Sequence, residues 1–201
     1  MRVFLPILCL IIGYLLGNFS MGMILAAKSG TDIRHEGSGN PGSTNVLRVL
    51  GAKAGALTFA GDFLKAVLAV LIGRWIGGES VCWCSLASSL GVIIGHNRPL
   101  LYGFKGGKGV ACSSAILLLM FPGWGVVSAL CCVTVIVLTK YVSAGSIILV
   151  FSYFLMMIAS AQPWYVVLWA GIICVMCVLR HKANITRLLS GTENKLFITK
   201  H

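Results

Sequence analysis

Acidic residues are scarce in this sequence, in which five Asp and Glu stand against sixteen Lys and Arg. Because the acids are few and scattered, we expect neither a pair of carboxylates for acid–base catalysis nor a carboxylate-rich metal site. Charged residues of both signs make up 10% of the chain, which is too little for the surface of an ordinary soluble domain. We therefore expect chemistry based on basic groups and neutral hydrogen-bond donors, with no metal and no cofactor.

Common catalytic and metal-binding signatures are also missing. The sequence has no Gly-x-Ser-x-Gly nucleophile elbow and no visible Ser-His-Asp set. Its eight cysteines lie inside or at the edges of apolar runs and do not form two ligand pairs, so we interpret them as packing residues. They are Cys9, Cys82, Cys84, Cys112, Cys131, Cys132, Cys174 and Cys177.

Apolar residues dominate instead, since 58% of the chain is hydrophobic and the mean hydropathy is +0.93. Apolar runs suited to membrane-spanning helices occupy residues 3–27, 51–73, 81–95, 110–121, 123–139, 143–161 and 163–179. The first run ends without an Ala-x-Ala cleavage pattern, so we interpret it as a span rather than a signal peptide. The run 110–121 is short, and we expect it to extend back to Lys108 or to thin the bilayer locally.

Polar segments at residues 28–50, 96–109 and 180–201 carry most of the basic residues. Positively charged loops stay in the cytoplasm, so an even number of crossings must separate these segments. The sequence thus predicts an all-α integral membrane protein with a single domain, residues 1–201. We expect a bundle of seven transmembrane helices, with the N-terminus outside, the C-terminus cytoplasmic and the three polar segments at the cytoplasmic face. Nucleic acid is not an expected partner, because there is no long basic face.

The first polar segment contains Gly37-Ser38-Gly39-Asn40-Pro41-Gly42-Ser43-Thr44-Asn45. Glycines, asparagines and hydroxyls together predict a tightly turning backbone whose N–H groups form a nest for an anion. Arg48 follows with a planar guanidinium suited to bidentate phosphate contact. The alternative interpretation is a flexible connector.

The second polar segment reads Phe104-Lys105-Gly106-Gly107-Lys108-Gly109-Val110 and leads directly into an apolar helix. Glycines before a helix N-terminus, with lysines between them, are typical of a phosphate cradle. The spacing is not that of a Walker A loop, so ATP chemistry is not indicated. The alternative is a charged anchor at the cytoplasmic face.

The polar tail opens with a cluster of hydrogen-bonding and basic residues. If this stretch is helical, His181, Asn184 and Leu188 share one face, and Arg180 and Arg187 flank it. The cluster fits a structural role and a catalytic role equally well.

Asp62 and Lys65 lie one helical turn apart inside the second apolar run. Ionisable groups at membrane depth are costly and are usually paired or functional. We interpret these two as an ion pair that supports the cytoplasmic site, rather than as a catalytic pair.

The three polar segments resemble the three cytoplasmic motifs of the PlsY family, the bacterial acylphosphate-dependent glycerol-3-phosphate acyltransferases. The matching stretches are residues 37–45, 104–110 and 180–193, in the same order and with the same spacing. Smaller matches are Asp32-Ile33-Arg34, Gly61-Asp62 with Lys65, Gly95-His96 with Pro99, and Ser143 with Gly145-Ser146. The sequence lacks the His-x4-Asp pair of soluble and peripheral glycerolipid acyltransferases.

This resemblance implies a reaction. A fatty acyl group moves from acyl phosphate to the 1-hydroxyl of glycerol 3-phosphate, giving lysophosphatidate and inorganic phosphate. The phosphate of the acyl donor takes the hydroxyl proton, so no protein residue is expected as general base. The implied location is the bacterial cytoplasmic (inner) membrane, with the active site at the cytoplasmic face and membrane lipid around the helices.

The resemblance also implies residue roles. Glycerol 3-phosphate is expected to be held by Ser38, Arg48, Lys108, His181 and Asn184. The acyl-phosphate pocket is expected to be shaped by Gly39, Asn40, Thr44, Asn45, Gly106, Gly107 and Gly109. Supporting roles are expected for Asp62, Lys65, His96, Lys105 and Ser143.

The chain departs from the family pattern at a few positions. The usual Gly-Ser-x-Pro of the first helix reads Gly17-Asn18-Phe19-Ser20, without the kinking proline. Ser43, Arg98 and Cys112 replace the usual Ala, Phe and Thr, and none of these changes removes an expected ligand.

Two other functions compete with the acyltransferase. A transporter or channel for a phosphorylated solute would also need a basic vestibule, but no internal repeat is visible and the polar motifs lie at one edge. A scaffold that binds anionic lipid headgroups would need positive charge, but not the surrounding Ser, Asn and Gly.

Overall fold

The structure is a computed structural model that describes residues 4–78 and 82–196. Within these residues the regular secondary structure is helical, which confirms the predicted all-α class. The α-helices are α1 Phe4–Gly17, α2 Met21–Lys28, α3 Ser43–Gly77, α4 Trp83–Asn97, α5 Val110–Met120, α6 Pro122–Thr139, α7 Val142–Ala159, α8 Trp164–Arg180 and α9 Lys182–Leu189, with a 3-10 turn at Leu100–Tyr102. The predicted break after α3 includes Glu79, which lies outside the described residues, as do residues 197–201 of the polar tail.

Several helical segments are long and apolar enough to cross a bilayer. Four of them, among the described residues, are Phe4–Lys28, Ser43–Gly77, Pro122–Thr139 and Val142–Ala159. A fifth is the pair α8 and α9, which bends by 62°. Helices α4 and α5 are apolar but shorter than the roughly 20 residues of a full crossing. The chain divides into two compact units, Met1–Met120 and Phe121–His201.

The first apolar run is broken between α1 and α2, although no proline stands at the break. Asn18 donates from Nδ2 to the Tyr14 carbonyl at 2.7 Å, and Ser20 caps α2 by accepting from the Met23 N–H at 3.5 Å. Polar side chains thus satisfy the backbone groups that the break exposes. The first apolar run therefore consists of two helices, which together are long enough to cross a bilayer.

Helix α3 begins at Ser43, so the prediction that residues 28–50 form a loop is wrong for residues 43–50. Val46, on the first turns of α3, packs with Ala26 and Ile33 in a buried apolar cluster. This packing orders the segment as helix ahead of the apolar run. Gly51, with φ 86° and ψ 176°, interrupts the helix where the apolar run was expected to begin.

Helices α1 and α4 pack with their backbones in close approach. A Cβ atom at Gly13 or Gly17 would overlap the carbonyl oxygens of α4, and one at Gly91 or Gly95 would overlap those of α1. Small residues at such crossings are typical of membrane helices, which gain contact energy when their backbones approach. The four glycines therefore form a seam that holds the first unit together.

Helix α5 begins at Val110 and does not extend back to Lys108, contrary to one of our two expectations. The residues before it are non-helical, and Gly106, Gly107 and Gly109 among them are buried. Protein therefore covers the irregular backbone that leads into α5. Arg74 of α3 donates to the Leu119 carbonyl and so satisfies a backbone group at the far end of α5.

In the second unit, α7 packs between α6 and α8. Tyr153 of α7 and Trp169 of α8 meet edge to face, with ring centroids 6.3 Å apart. Helix α9 then turns away from α8 at His181. All eight cysteines of the chain are free thiols; five are buried, and Cys82, Cys131 and Cys132 are half-buried.

Candidate active site

The first motif loop is organised by two asparagines. Asn45 accepts from the Ser38 N–H at 2.8 Å and donates to the Glu36 carbonyl at 2.9 Å, while Asn40 accepts from the Gly42 N–H at 2.8 Å. A Cβ at Gly37, which has φ 57°, would overlap Oδ1 of Asn45. The amide side chains therefore fix the backbone course of the loop.

The side chains expected to meet a phosphate lie on or near this loop. Ser38 and Arg48 are exposed, and Thr44 is half-buried in the first turn of α3. At the edge of the loop, Nε of Arg34 lies 2.9 Å from Oδ1 of Asp32, and Nη2 lies 2.7 Å from Oδ2. The hydrogen bonds from Arg34 hold the pKa of the Asp32 carboxyl well below its usual range.

The second motif segment lies against the end of α4. The Gly107 N–H donates to the His96 carbonyl at 3.0 Å. A Cβ at Gly106 would overlap that carbonyl, and one at Gly107 would overlap Nε2 of the His96 ring. The glycines thus allow the segment to lie directly on His96, and Lys108 follows at the N-terminus of α5, where anions are favoured.

Beneath this segment lies the Lys65 cluster, which we define as Asp62, Lys65 and His96. Nζ of Lys65 is 2.7 Å from Oδ1 of Asp62 and 3.0 Å from Nδ1 of His96. Nζ also donates to the carbonyls of Gly17 and Phe19, at 3.2 Å and 2.5 Å, in the break between α1 and α2. The expected ion pair of Asp62 and Lys65 is therefore present and includes a third member, His96.

A groove of about 790 Å³ lies between residues 23–34 and residues 101–105. Its lining is mostly apolar but includes the charged residues Asp32, Arg34 and Lys105. It is lined by Met23, Ala26, Ala27, Gly30, Thr31, Asp32, Ile33, Arg34, Leu101, Tyr102, Gly103 and Lys105. The groove brings the expected supporting residue Lys105 to the same surface as residues 31–34.

In the second unit, the residues of the third motif gather around one carboxylate. Oε1 of Glu193 accepts from Ser143 at 2.9 Å and from Asn184 at 2.6 Å, and Oε2 accepts from Arg187 at 2.7 Å. We call Ser143, Asn184, Arg187 and Glu193 the Glu193 cluster. It ties α7, α9 and the chain after α9 together.

The ionisation of Glu193 follows from this arrangement. Burial acts to raise its pKa, but the hydrogen bonds from Asn184, Ser143 and Arg187 outweigh burial, so the pKa lies below the ordinary 4.5. Glu193 is therefore a carboxylate at neutral pH and accepts from all three neighbours.

His181 is buried where α8 turns into α9. Its Nδ1 lies 2.8 Å from the carbonyl oxygen of Cys177, which can only accept, so the ring hydrogen belongs on Nδ1. This hydrogen bond fixes the plane of the imidazole ring.

The residues expected to bind substrate are divided between the two units. Ser38, Arg48 and Lys108 belong to the first unit, and His181 and Asn184 belong to the second. Our site predictions omitted Glu193, although it lies within the third motif. The available signal was its position six residues after Arg187 in a chain with few acids.

Comparison with known proteins identifies the family. The chain matches the glycerol-3-phosphate acyltransferase family over residues 7–191. The glycerol-3-phosphate acyltransferase of Clostridioides difficile is 41% identical over 205 residues, which cover 98% of each chain. The enzyme of the same name from Aquifex aeolicus is 38% identical over 186 residues, which cover 92% of this chain and 96% of that one.

Two solved structures of PlsY, an integral membrane glycerol 3-phosphate acyltransferase, have the same fold at 36% identity. The glycerol 3-phosphate form superposes with a TM-score of 0.90 and covers 96% of both chains. The lysophosphatidic acid form has a TM-score of 0.87 and covers 96% of this chain and 95% of that one. From its sequence, its motifs and its fold, this multi-pass membrane protein belongs to the glycerol-3-phosphate acyltransferase family, the PlsY family.

Proposed function

We propose that this enzyme uses acyl phosphate as its acyl donor and forms 1-acylglycerol 3-phosphate and inorganic phosphate. The 1-hydroxyl oxygen of glycerol 3-phosphate bonds to the acyl carbon, and the bond from that carbon to the phosphate oxygen breaks. The observation that carries the proposal is the glycine segment 106–109. The backbone of this segment packs against His96, and Lys108 lies just before the N-terminus of α5. A helix N-terminus with a nearby lysine is suited to binding a phosphate group.

The donor's own phosphate receives the hydroxyl proton in this proposal, so no side chain acts as general base. Acyl phosphate is already activated, and the protein contributes by positioning and by stabilising negative charge. The scarcity of carboxylates in the motif segments supports this assignment. Glu193, the acid in the third motif, already accepts three hydrogen bonds from protein groups.

The residue roles follow the motif positions. We propose that glycerol 3-phosphate is bound by Ser38, Arg48, Lys108, His181 and Asn184. The acyl-phosphate pocket is shaped by Gly39, Asn40, Thr44, Asn45, Gly106, Gly107 and Gly109. Support comes from Asp62, Lys65, His96, Lys105 and Ser143, and neither a metal nor another cofactor takes part.

We also propose seven crossings of the bacterial cytoplasmic (inner) membrane by one domain, residues 1–201. The first crossing is α1 with α2, and α3 to α8 supply the other six. The non-helical residues before α5 lengthen its short crossing. An odd number of crossings leaves the N-terminus outside and the C-terminus and the three motif segments in the cytoplasm, which agrees with their positive charge.

The test is phosphate release by the purified protein supplied with palmitoyl phosphate and glycerol 3-phosphate. Parallel reactions contain acyl-CoA or acylated carrier protein as donor. We expect release that requires both substrates and produces lysophosphatidate with acyl phosphate alone as donor. Activity with only the other donors would overturn the donor assignment, and no transfer by folded protein with any donor would favour transport of a phosphorylated solute.

Site variants then test the residue roles. Lys108→Ala and Asn184→Ala are each expected to lower kcat/KM about a hundredfold, because each removes a group that orients a substrate. Lys53→Ala is the matched control, since Lys53 is exposed on α3 outside the motif segments. Unchanged turnover in both site variants would contradict the assignment.

A further inference from the structure

The ammonium group of Lys65 is buried where the break between α1 and α2 meets α3 and α4. The carbonyls of Gly17 and Phe19 accept from Nζ, and Nδ1 of His96 lies 3.0 Å from it. An ammonium has three hydrogens, so these neighbours and the Asp62 carboxylate surround it completely. Oδ1 of Asp62, 2.7 Å from Nζ, neutralises the charge but has no aligned hydrogen bond among the described residues.

Nδ1 of the His96 ring faces the ion pair and lies 3.0 Å from Nζ of Lys65 and 3.4 Å from Oδ1 of Asp62. These contacts fix the position of the ring. Nε2 is the ring atom that a Cβ at Gly107 would overlap, and the backbone carbonyl of the same residue accepts from the Gly107 N–H. Both the ring and the backbone of His96 therefore form the surface on which the glycine segment rests.

We propose that Lys65 is a positioning residue that acts through His96 to fix the backbone of residues 106–109. The inference rests on the proposed function, which assigns the phosphate of the acyl donor to this segment. Glycine has more backbone freedom than any other residue, so a segment with Gly106, Gly107 and Gly109 needs external contacts to hold its N–H groups in one direction. Donors that are held in place before the substrate binds cost no reorganisation during the reaction.

A gain in stability from the ion pair does not explain why Asp62 and Lys65 are charged. Replacing a buried ion pair by apolar residues is often neutral for stability, because desolvation cancels much of the attraction. Nζ of Lys65, however, contacts the carbonyls of Gly17 and Phe19 and the ring of His96, which an apolar side chain cannot do. The role that distinguishes Lys65 is therefore the placement of these groups.

The test is the double variant Asp62→Asn with Lys65→Met, in which both charges are removed so that no unpaired charge is buried. Hydrogen exchange read by mass spectrometry should show amides of residues 106–109 exchanging about tenfold faster than in the unaltered protein. The KM for acyl phosphate should rise about tenfold as the phosphate-binding groups lose their alignment. Lys53→Met, an exposed lysine on the same helix, is the matched control and should change neither value.

Unchanged exchange at residues 106–109 in the folded double variant overturns the proposal. A lower kcat with an unchanged KM for acyl phosphate also overturns it, since that is the effect of a smaller folded fraction. If the double variant does not fold, Lys65→Arg keeps the charge but redirects the hydrogens, and it should accelerate exchange at the same residues. If the unaltered protein transfers no acyl group, the proposed function fails, while the exchange measurement still decides the role of Lys65.

Discussion

The Lys65 cluster and the Glu193 cluster have a similar arrangement but differ in burial. In each, a charged group contacts polar groups from separate parts of the chain. The side chain of Lys65, the cation of the first cluster, is 8% exposed, whereas that of Arg187, the cation of the second cluster, is 35% exposed. When its partner is removed, a buried charge cannot be hydrated, whereas a partly exposed charge can be. Burial therefore decides how much the loss of one member costs.

The largest expected effect is that of Asp62→Ala, which leaves Lys65 charged and buried. We expect a loss of about 3–5 kcal/mol of stability, the range for breaking a buried pair. Thermal unfolding in detergent and the yield of monodisperse protein measure it. The double variant that removes both charges should recover most of the loss, and a single variant as stable as the unaltered protein would refute the importance of burial.

Glu193→Ala should have a smaller effect, about 1–3 kcal/mol, because three donors lose their acceptor but Arg187 regains water. The KM for glycerol 3-phosphate should rise as well, since Asn184 loses the carboxylate that orients it. Glu36→Ala, at an exposed acid of the first loop, is the control and should leave thermal stability unchanged. A loss equal to that of Asp62→Ala would remove the distinction between the clusters.

Acid should weaken the Glu193 cluster in a defined direction. Its folded pKa lies below the ordinary 4.5, so its stabilisation is complete above 4.5 and is lost as the pH falls through the lower folded pKa. The difference in Tm between the unaltered protein and Glu193→Gln should therefore be constant near neutral pH and shrink in acid. A difference that grows on acidification would contradict the assigned ionisation.

The smallest effect is expected for Asp32→Asn. The pair with Arg34 is exposed, and its low carboxyl pKa comes from a partner that solvent readily replaces. Tm should not change measurably, and the activity measured with saturating substrates should be kept. A clear loss of Tm would show that exposed pairs in this loop matter as much as buried ones.

The sequence was sufficient to predict the helical class, the membrane location and the family, because apolar runs and motif strings are local signals. The start of α3 was missed, since the packing of Val46 on Ala26 and Ile33, which favours helix at Ser43–Leu50, is not visible in the sequence. The break at Asn18–Ser20 was missed in the apolar pattern because polar side chains, not a proline, satisfy it.

In the candidate site, too, some contacts could be predicted from the sequence and others could not. The ion pair of Asp62 and Lys65 was predictable because its members lie one helical turn apart. Glu193 and Ser143 are separated by fifty positions in sequence, and only the turn after α9 brings them together. Helical periodicity predicts contacts between residues three or four positions apart, not between residues this distant. The position of Glu193 at the centre of its cluster was therefore visible only in the structure.

The glycine seam between α1 and α4 has a consequence for how this protein tolerates mutation. At Gly13, Gly17, Gly91 and Gly95 even a methyl group would occupy space already taken by a carbonyl of the opposite helix. In a library that samples every residue at every position, these four should accept glycine alone, whereas exposed leucines such as Leu64 and Leu68 should accept many apolar residues. The α1–α4 contact is thus the part of the protein where the size of a side chain, rather than its polarity, limits substitution.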